Sequence, residues 1–589
     1  MLETSVFALP SPTSYGEPMG NSSTSSTEKK RQWSALDRAC DNYIRAYAEL
    51  DPIAATDWGL PADPTALPDF SPAGIDQRAA LDTDFLAALP TIPLVDTVDQ
   101  ITADALVDRL TISTLLHEGL EDYAELNNLA SPLQEVRDAF SLMPTDTVAD
   151  WQTILERMRN VPAALRQYTQ SLEYGASRGL VAARRQVLIG IHQSTAIGTE
   201  GSSGAFFELL VRECPAEVSA QIGEDTLAAT VRWASDAYLW LAQWLRENLL
   251  PLAPDTDPVG RDRYEVFSAL FVGARVNLDE TYKWGLEELA RITAAQERIA
   301  EELYGKGVGV GEAFKRLDAD PTYQLHGEDA LLAWLQSTGD RALADLNGTQ
   351  FQIAPQLQVL QARIAASKEG GVWYTGPSAD FSRPGRMWWS IPEGETLFHT
   401  WQEKTTVFHE GIPGHHLQVA QAIYEKDSLN LWRRMGSWNS GHGEGWALYA
   451  EQLMATLGYQ DDPGDRMGML DGQRMRAARV VLDIGVHLGK PRPDGEGVWD
   501  ADYAGRFLRE NTAMSDGMLR FELDRYLGWP GQAPSYKIGE RLWMTLRDDY
   551  VAQHASEGSL EDLTRRFHTV ALAQGSLPMD TLRRAVLGS

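Results

Sequence analysis

One histidine, one glutamate and two further histidines fall within eight residues at His409-Glu410-Gly-Ile-Pro-Gly-His415-His416. Zinc hydrolases commonly take two histidines and one carboxylate as ligands and leave a fourth position for water. A glutamate directly after the first histidine is held beside that water, and bound zinc lowers the water's pKa from 15.7 to about 7. His409 is therefore an expected metal ligand and Glu410 the expected general base.

The spacing departs from the regular pattern. In H-E-x-x-H the histidines stand four residues apart on one helical face; here the fourth position is Pro413, which offers no ligand atom. On an unbroken helix His415 turns roughly 120° away from His409, and His416 faces correctly but about 10 Å further along the axis. Pro413-Gly414 is a pair that breaks or bulges a helix. A two-residue bulge there returns one of the two histidines to the metal, and spacing alone leaves His415 and His416 both open. The plain alternative is a histidine-rich helix end with satisfied hydrogen bonds.

A third ligand is expected from a later helix. Gly441-His-Gly-Glu444-Gly-Trp-Ala-Leu-Tyr449-Ala-Glu451 opens one, and Glu444 lies far enough beyond His409 for the chain to turn and run back. His442 is a rival, and an acidic helix start favoured by the macrodipole needs no metal at all. Glu451, on the same face two turns on, is expected to orient a ligand histidine.

Supporting groups follow. Arg479, Asp483 and His487 stand at i, i+4 and i+8 on an otherwise apolar helix. They read either as a surface ion-pair stripe or as a buried polar site, with Asp483 behind the ligands and His487 beside a developing oxyanion. The donor-rich stretch Glu522–Gly539 offers Tyr536 for a tetrahedral intermediate and Arg525 or Lys537 for a substrate carboxylate, although caps and turns also account for such residues. Tyr374 leads through Pro384-Gly385 into the one alternating segment, Arg386–Ile391. By analogy with zinc peptidases this is expected to be an edge strand that pairs with an extended substrate, with Tyr374 touching it.

The elements that must position these groups are helices. Trp33, Leu36, Ala39, Tyr43, Tyr47 and Leu50 recur at three- and four-residue steps until Asp51-Pro52, and further stripes run over 151–175, 226–249, 279–304, 402–425, 443–457, 467–489, 536–553 and 578–587. Trp233, Trp240 and Trp244 are expected in the core, with Trp388, Trp389 and Trp446 near the motifs. The fold class is mainly α, a large multi-helix fold with a small β-element at the active site. A helical N-terminal part, 33–355, is expected to support a catalytic part, 356–589, as one continuous structural unit. Residues 1–32, rich in Ser, Thr, Pro and Gly, read as a disordered tail.

Lys and Arg total 52 against 83 Asp and Glu, a formal charge of −31. Such a surface repels phosphate backbones and anionic lipid, so nucleic acid and membranes are poor partners. Two isolated cysteines, Cys40 and Cys214, fit a reducing compartment. With no signal-peptide pattern and no apolar span, a cytoplasmic location is expected.

H-E-G-I-P-G-H-H-L-Q, E-G-W-A-L-Y-A-E, the E-L-D-R-Y…P-G-Q-A-P-S-Y-K-I-G block and F-H-T-V-A-L-A-Q-G-S-L-P-M resemble the bacterial family called domain of unknown function 885. That family resembles the gluzincin-like metallopeptidases, mainly helical enzymes with a glutamate as third ligand. The resemblance implies a zinc peptidase with one Zn2+ per chain, held by His409, His415 and Glu444, with Glu410 as base. Phe408-His409-Glu410…Gly414-His415 is also similar to the Phe-His-Glu-Phe-Gly-His of oligopeptidases with two residues inserted, which favours His415 over its alternate His416. Some family members resemble lipoproteins, but this chain has no lipobox cysteine near its start. Short peptides are the expected substrates, and a small amide or amino-acid conjugate is the alternative. A non-catalytic peptide-binding protein is a third reading, against which Glu410 stands, because a structural site has no need of a base.

Overall fold

Capping and breaking residues set out the helices largely as the periodicity predicts. Ser34 opens the first, Ala35–Leu50: its hydroxyl accepts from the Asp37 amide and the Asp37 carboxylate accepts from the Ser34 amide. Asp51-Pro52 ends that helix and starts the next. In this computed structural model the described residues are 31–365 and 371–588, and 68% of the structure is helical with few strands. The expected tail thus lies outside the described residues except for Arg31 and Gln32. Arg31 is bound to Asp37, Asp96 and Asp99.

The chain divides at 256/257, with 425–436 joining the first unit; the expected boundary at 355/356 falls inside the second. The first unit is built on Val148–Ser177 and Glu224–Trp244, whose Trp151, Leu155, Met158, Leu165, Tyr238 and Leu241 form its core. Trp240 and Trp244 pack against that core, but Trp233, expected inside it, is 57% exposed with its indole N–H on the Arg159 carbonyl.

The second unit carries every residue singled out for chemistry. Its principal helices are α1 (Leu278–Tyr304), α2 (Thr400–Glu410), α3 (His415–Tyr424), α4 (Ser440–Thr456), α5 (Pro463–His487), α6 (Asp516–Gly528) and α7 (Ser535–Gln553). The single helix expected over 402–425 is two, α2 and α3. Glycines let α4 and α7 meet backbone to backbone: a Cβ on Gly539 would lie 2.2 Å from the Gly441 carbonyl oxygen. Helix α5, started by Asp462 and Pro463, packs against α1 and α2.

A three-stranded sheet lies against α2 and α3: β1 (Leu360–Ile364), β2 (Gly371–Thr375) and β3 (Gly385–Ser390), in the order β1-β3-β2. Strand β3 runs parallel to β1 and antiparallel to β2. The expected strand is therefore present but central, since both its edges are already hydrogen-bonded; the outer strands are β1 and β2. Its contact with the His409–His416 segment is close, because a Cβ on Gly385 would lie 2.5 Å from His416 Nδ1.

Candidate metal centre

Between α2 and α3 the helix bulges. The Gly411 amide still bonds the Val407 carbonyl at 2.9 Å, but the Gly414 amide reaches back to Phe408 O at 3.0 Å, six residues instead of four. The regular ladder restarts with Gln418 N on Gly414 O at 3.2 Å. Only glycine fits at 414, where a Cβ would stand 1.9 Å from the His409 carbonyl oxygen. Buried Trp446 holds the bulge from α4, its indole N–H donating to Pro413 O at 2.9 Å.

The bulge brings His415 to His409, ring centroids 4.9 Å apart and planes perpendicular. Glu444 Oε2 lies 3.4 Å from His409 Nε2 and 3.5 Å from His415 Nε2. One donor atom from each of the three residues lies within 4.8 Å of the others, and all three side chains are buried. Burial works to raise the Glu444 carboxyl, but hydrogen bonds and charge from the two histidines hold it well below the usual range. His415 Nδ1 has no hydrogen-bond partner. Two imidazole nitrogens converging on one carboxylate oxygen in a water-poor interior fit a dication, and this is the one such group among the described residues. Glu410, 3% exposed, ends α2 beside His409.

His416 goes elsewhere. Its Nε2 donates to Leu357 O at 2.8 Å and its Nδ1 accepts from the Tyr374 hydroxyl at 2.9 Å, so both nitrogens are engaged. Burial lowers its pKa to about 4, which keeps the ring neutral. Tyr374, expected on substrate, is thus buried behind the histidine helix. Glu451 faces His409, the histidine it was expected to orient: Oε1 lies 2.8 Å from His409 Nδ1, and Oε2 accepts from the Thr405 hydroxyl at 2.7 Å.

The remaining expected groups lie buried around the turn before α7 and at its start. Asp483 Oδ1 accepts from the Tyr264 hydroxyl at 2.6 Å and from the Gly531 amide at 3.0 Å, fixing that turn where it was expected behind the metal ligands. His487, expected beside an oxyanion, donates from Nε2 to Tyr526 O at 2.9 Å and is held neutral by burial, with a pKa of about 4. Arg525 bonds Glu522 at 3.1 Å and Gln532 at 3.0 Å. Lys537 lies between Glu288, at 3.1 Å, and Glu540, at 2.5 Å. The carboxylates these two cations were expected to take from substrate come here from the protein. Tyr536 sits at the first turn of α7 with the Arg479 guanidinium 5.2 Å over its ring. The adjacent Ser535 meets Ser440 of α4 at 2.7 Å.

Sequence reasoning passed over Thr405, Trp446 as a support of the bulge, and Arg476. Thr405 carried a signal, since it stands one helical turn before His409. Arg476 extends the Arg479–Asp483–His487 stripe one turn back, and only the tertiary fold brings it to Glu451.

Two solved structures share this fold. One, from Colwellia psychrerythraea and described as a "putative lipoprotein", matches with a TM-score of 0.80 and 21% identity over 94% of this chain and 98% of that one. A second so described, of unknown function and from Shewanella oneidensis, matches at 0.71 and 16% over 94% and 100%. These descriptions overturn the expected cytoplasmic location: two isolated thiols and a polar N-terminal stretch do not fix a compartment. No helix among the described residues is long and apolar enough to cross a membrane. A carboxypeptidase from Pyrococcus furiosus overlaps at a TM-score of 0.43 and 11% identity, over 95% and 97% of the two chains, too distantly to bear on chemistry. No curated protein matches the chain. The model of the family of bacterial proteins of unknown function termed DUF885 matches residues 52–586, and the chain belongs to that family.

Proposed function

We propose that this protein is a zinc-dependent hydrolase that cleaves peptide bonds in short peptides. The observation that carries the reading is the convergence of His409, His415 and Glu444 on one buried point, with Glu410 next in sequence to a ligand. His409 and His415 would hold the metal through Nε2, and Glu444 through a carboxylate oxygen. When bound, zinc supplies Lewis acidity, polarising the scissile carbonyl and making a water acidic near neutral pH.

This chain's own residues do the rest. Glu451 accepts a hydrogen bond from His409 Nδ1, which would leave Nε2 with its lone pair free for the metal. Glu410 takes the proton of the attacking water and returns it to the amine nitrogen as the C–N bond breaks. The products are a carboxylate and an amine, and no external reductant or oxidant is needed. Tyr536, on the helix paired with that of Glu444, is the candidate donor to the tetrahedral oxyanion. A mixed library of short peptides, incubated with purified protein with and without a chelator, tests the reading. Cleavage that stops with chelator and returns with zinc is expected; cleavage indifferent to chelator contradicts it.

A further inference from the structure

Glu451 is a fully buried carboxylate whose two oxygens are divided between two groups of α2, His409 Nδ1 at 2.8 Å and the Thr405 hydroxyl at 2.7 Å. A buried carboxylate facing an imidazole and a hydroxyl pays a large desolvation cost unless a cation also faces it. That cation comes from a third helix. Arg476 of α5, itself 4% exposed, places Nη2 3.8 Å from Glu451 Oε1, the same oxygen that meets His409. Other charges near this pair include Glu540 of α7, which acts on Glu451 through space and is itself paired with Lys537, and Asp471 of α5, which feels both Arg474 and Arg476.

We infer that Arg476 is a positioning residue for the metal: it holds Glu451 so that His409 Nδ1 stays the hydrogen donor and Nε2 faces His415 and Glu444. The inference rests on the reading of those three residues as a metal site. Three helices then meet on one proton: α2 brings the histidine, α4 the carboxylate and α5 the charge that fixes the carboxylate. At 3.8 Å the guanidinium acts on Glu451 through orientation and charge, without competing with His409 for a short hydrogen bond.

The test measures metal, not turnover. Full-length protein is stripped with chelator, and its zinc dissociation constant is read by competition with a chromophoric chelator; the visible spectrum of the cobalt-loaded form is recorded alongside. Failure of wild-type protein to bind zinc defeats the metal site itself. With wild-type binding in hand, Arg476→Gln is expected to bind zinc about 10–100-fold more weakly and to shift the cobalt spectrum. Because Arg476 acts through Glu451, Arg476→Gln/Glu451→Gln is expected to bind no more weakly than Glu451→Gln alone. Wild-type affinity in folded Arg476→Gln, or fully additive losses in the double variant, overturns the inference. Should Arg476→Gln fail to fold, Arg476→Lys takes its place, since an ammonium cannot reproduce the guanidinium fork. An unchanged constant and an unchanged cobalt spectrum in that variant overturn it equally.

Discussion

Gly414 donates its amide hydrogen to the carbonyl oxygen of Phe408 at 3.0 Å, across six residues. A regular helix closes the same bond across four. The two extra residues are what separates this motif from a regular H-E-x-x-H: they bring His415, and not the residue four after His409, beside His409 and Glu444.

Replacing that glycine is therefore expected to damage both fold and site. A Cβ at Gly414 would stand 1.9 Å from His409 O and 2.4 Å from Phe408 O, so Gly414→Ala is expected to cost about 3 kcal/mol or more. Gly311→Ala, inside the helix Val310–Ala319 where nothing lies within 4 Å, is expected to be neutral or stabilising by about 0.5–1 kcal/mol. Urea unfolding of the two variants measures the difference; equal midpoints would show that the bulge tolerates a side chain.

The two neighbouring histidines are expected to fail differently. His415→Ala removes a buried nitrogen from the metal group and should abolish zinc retention after dialysis. His416→Ala breaks the bonds to Tyr374 and Leu357, costing about 1–3 kcal/mol of stability while zinc is retained. Metal analysis beside thermal melting separates them, and equal zinc in both variants would overturn the choice of His415.

Much of this was legible in the sequence. The helices were readable because apolar stripes, Pro and Gly breaks and Asp or Ser caps agree over long segments, as at Ala35–Leu50 and Leu278–Tyr304. The histidine–glutamate cluster and Glu444 stood out because few other roles place such donors so close together. The interrupted helix was half readable: Pro413-Gly414 announced a break, but only the closing bond from Gly414 to Phe408 fixed which histidine returned. Arg525, Lys537 and Asp483 misled because sequence shows a charge and not its partner. Glu522, Glu288 and Gly531 claim them from other helices and turns. The β-element was read as one strand because β1 and β2 are five residues each and carry too little pattern to call out the sheet that makes β3 central.

Lys537 gives a direct check of that reassignment. Lys537→Met leaves the buried Glu540 without its cation, while Glu288 keeps Arg291, which is expected to cost about 3–5 kcal/mol. Chemical denaturation reads this; a loss under about 1 kcal/mol would mean that the lysine is not a buried structural cation.

Asp483 predicts a pH dependence. Burial raises its carboxyl from 3.8 to about 7, so between these values the unfolded chain has released a proton that the folded protein keeps. The unfolded state binds fewer protons there, so this group's contribution to stability falls as pH rises from about 4 to about 7 and stays low above. Asp483→Asn keeps an oxygen for the Tyr264 hydroxyl and the Gly531 amide but cannot ionise. Its melting temperature is expected to lose that part of the pH slope and to exceed wild type above pH 7; parallel profiles for the two proteins would contradict this.

The proposed hydrolysis turns on Glu410, and the most direct measurement compares wild-type protein with Glu410→Gln at equal zinc loading on the same short-peptide library. Both are expected to hold about one zinc per chain, with hydrolysis by Glu410→Gln reduced about 10²–10⁴-fold. Full activity in zinc-loaded Glu410→Gln, or no zinc in either protein, would contradict the proposed chemistry.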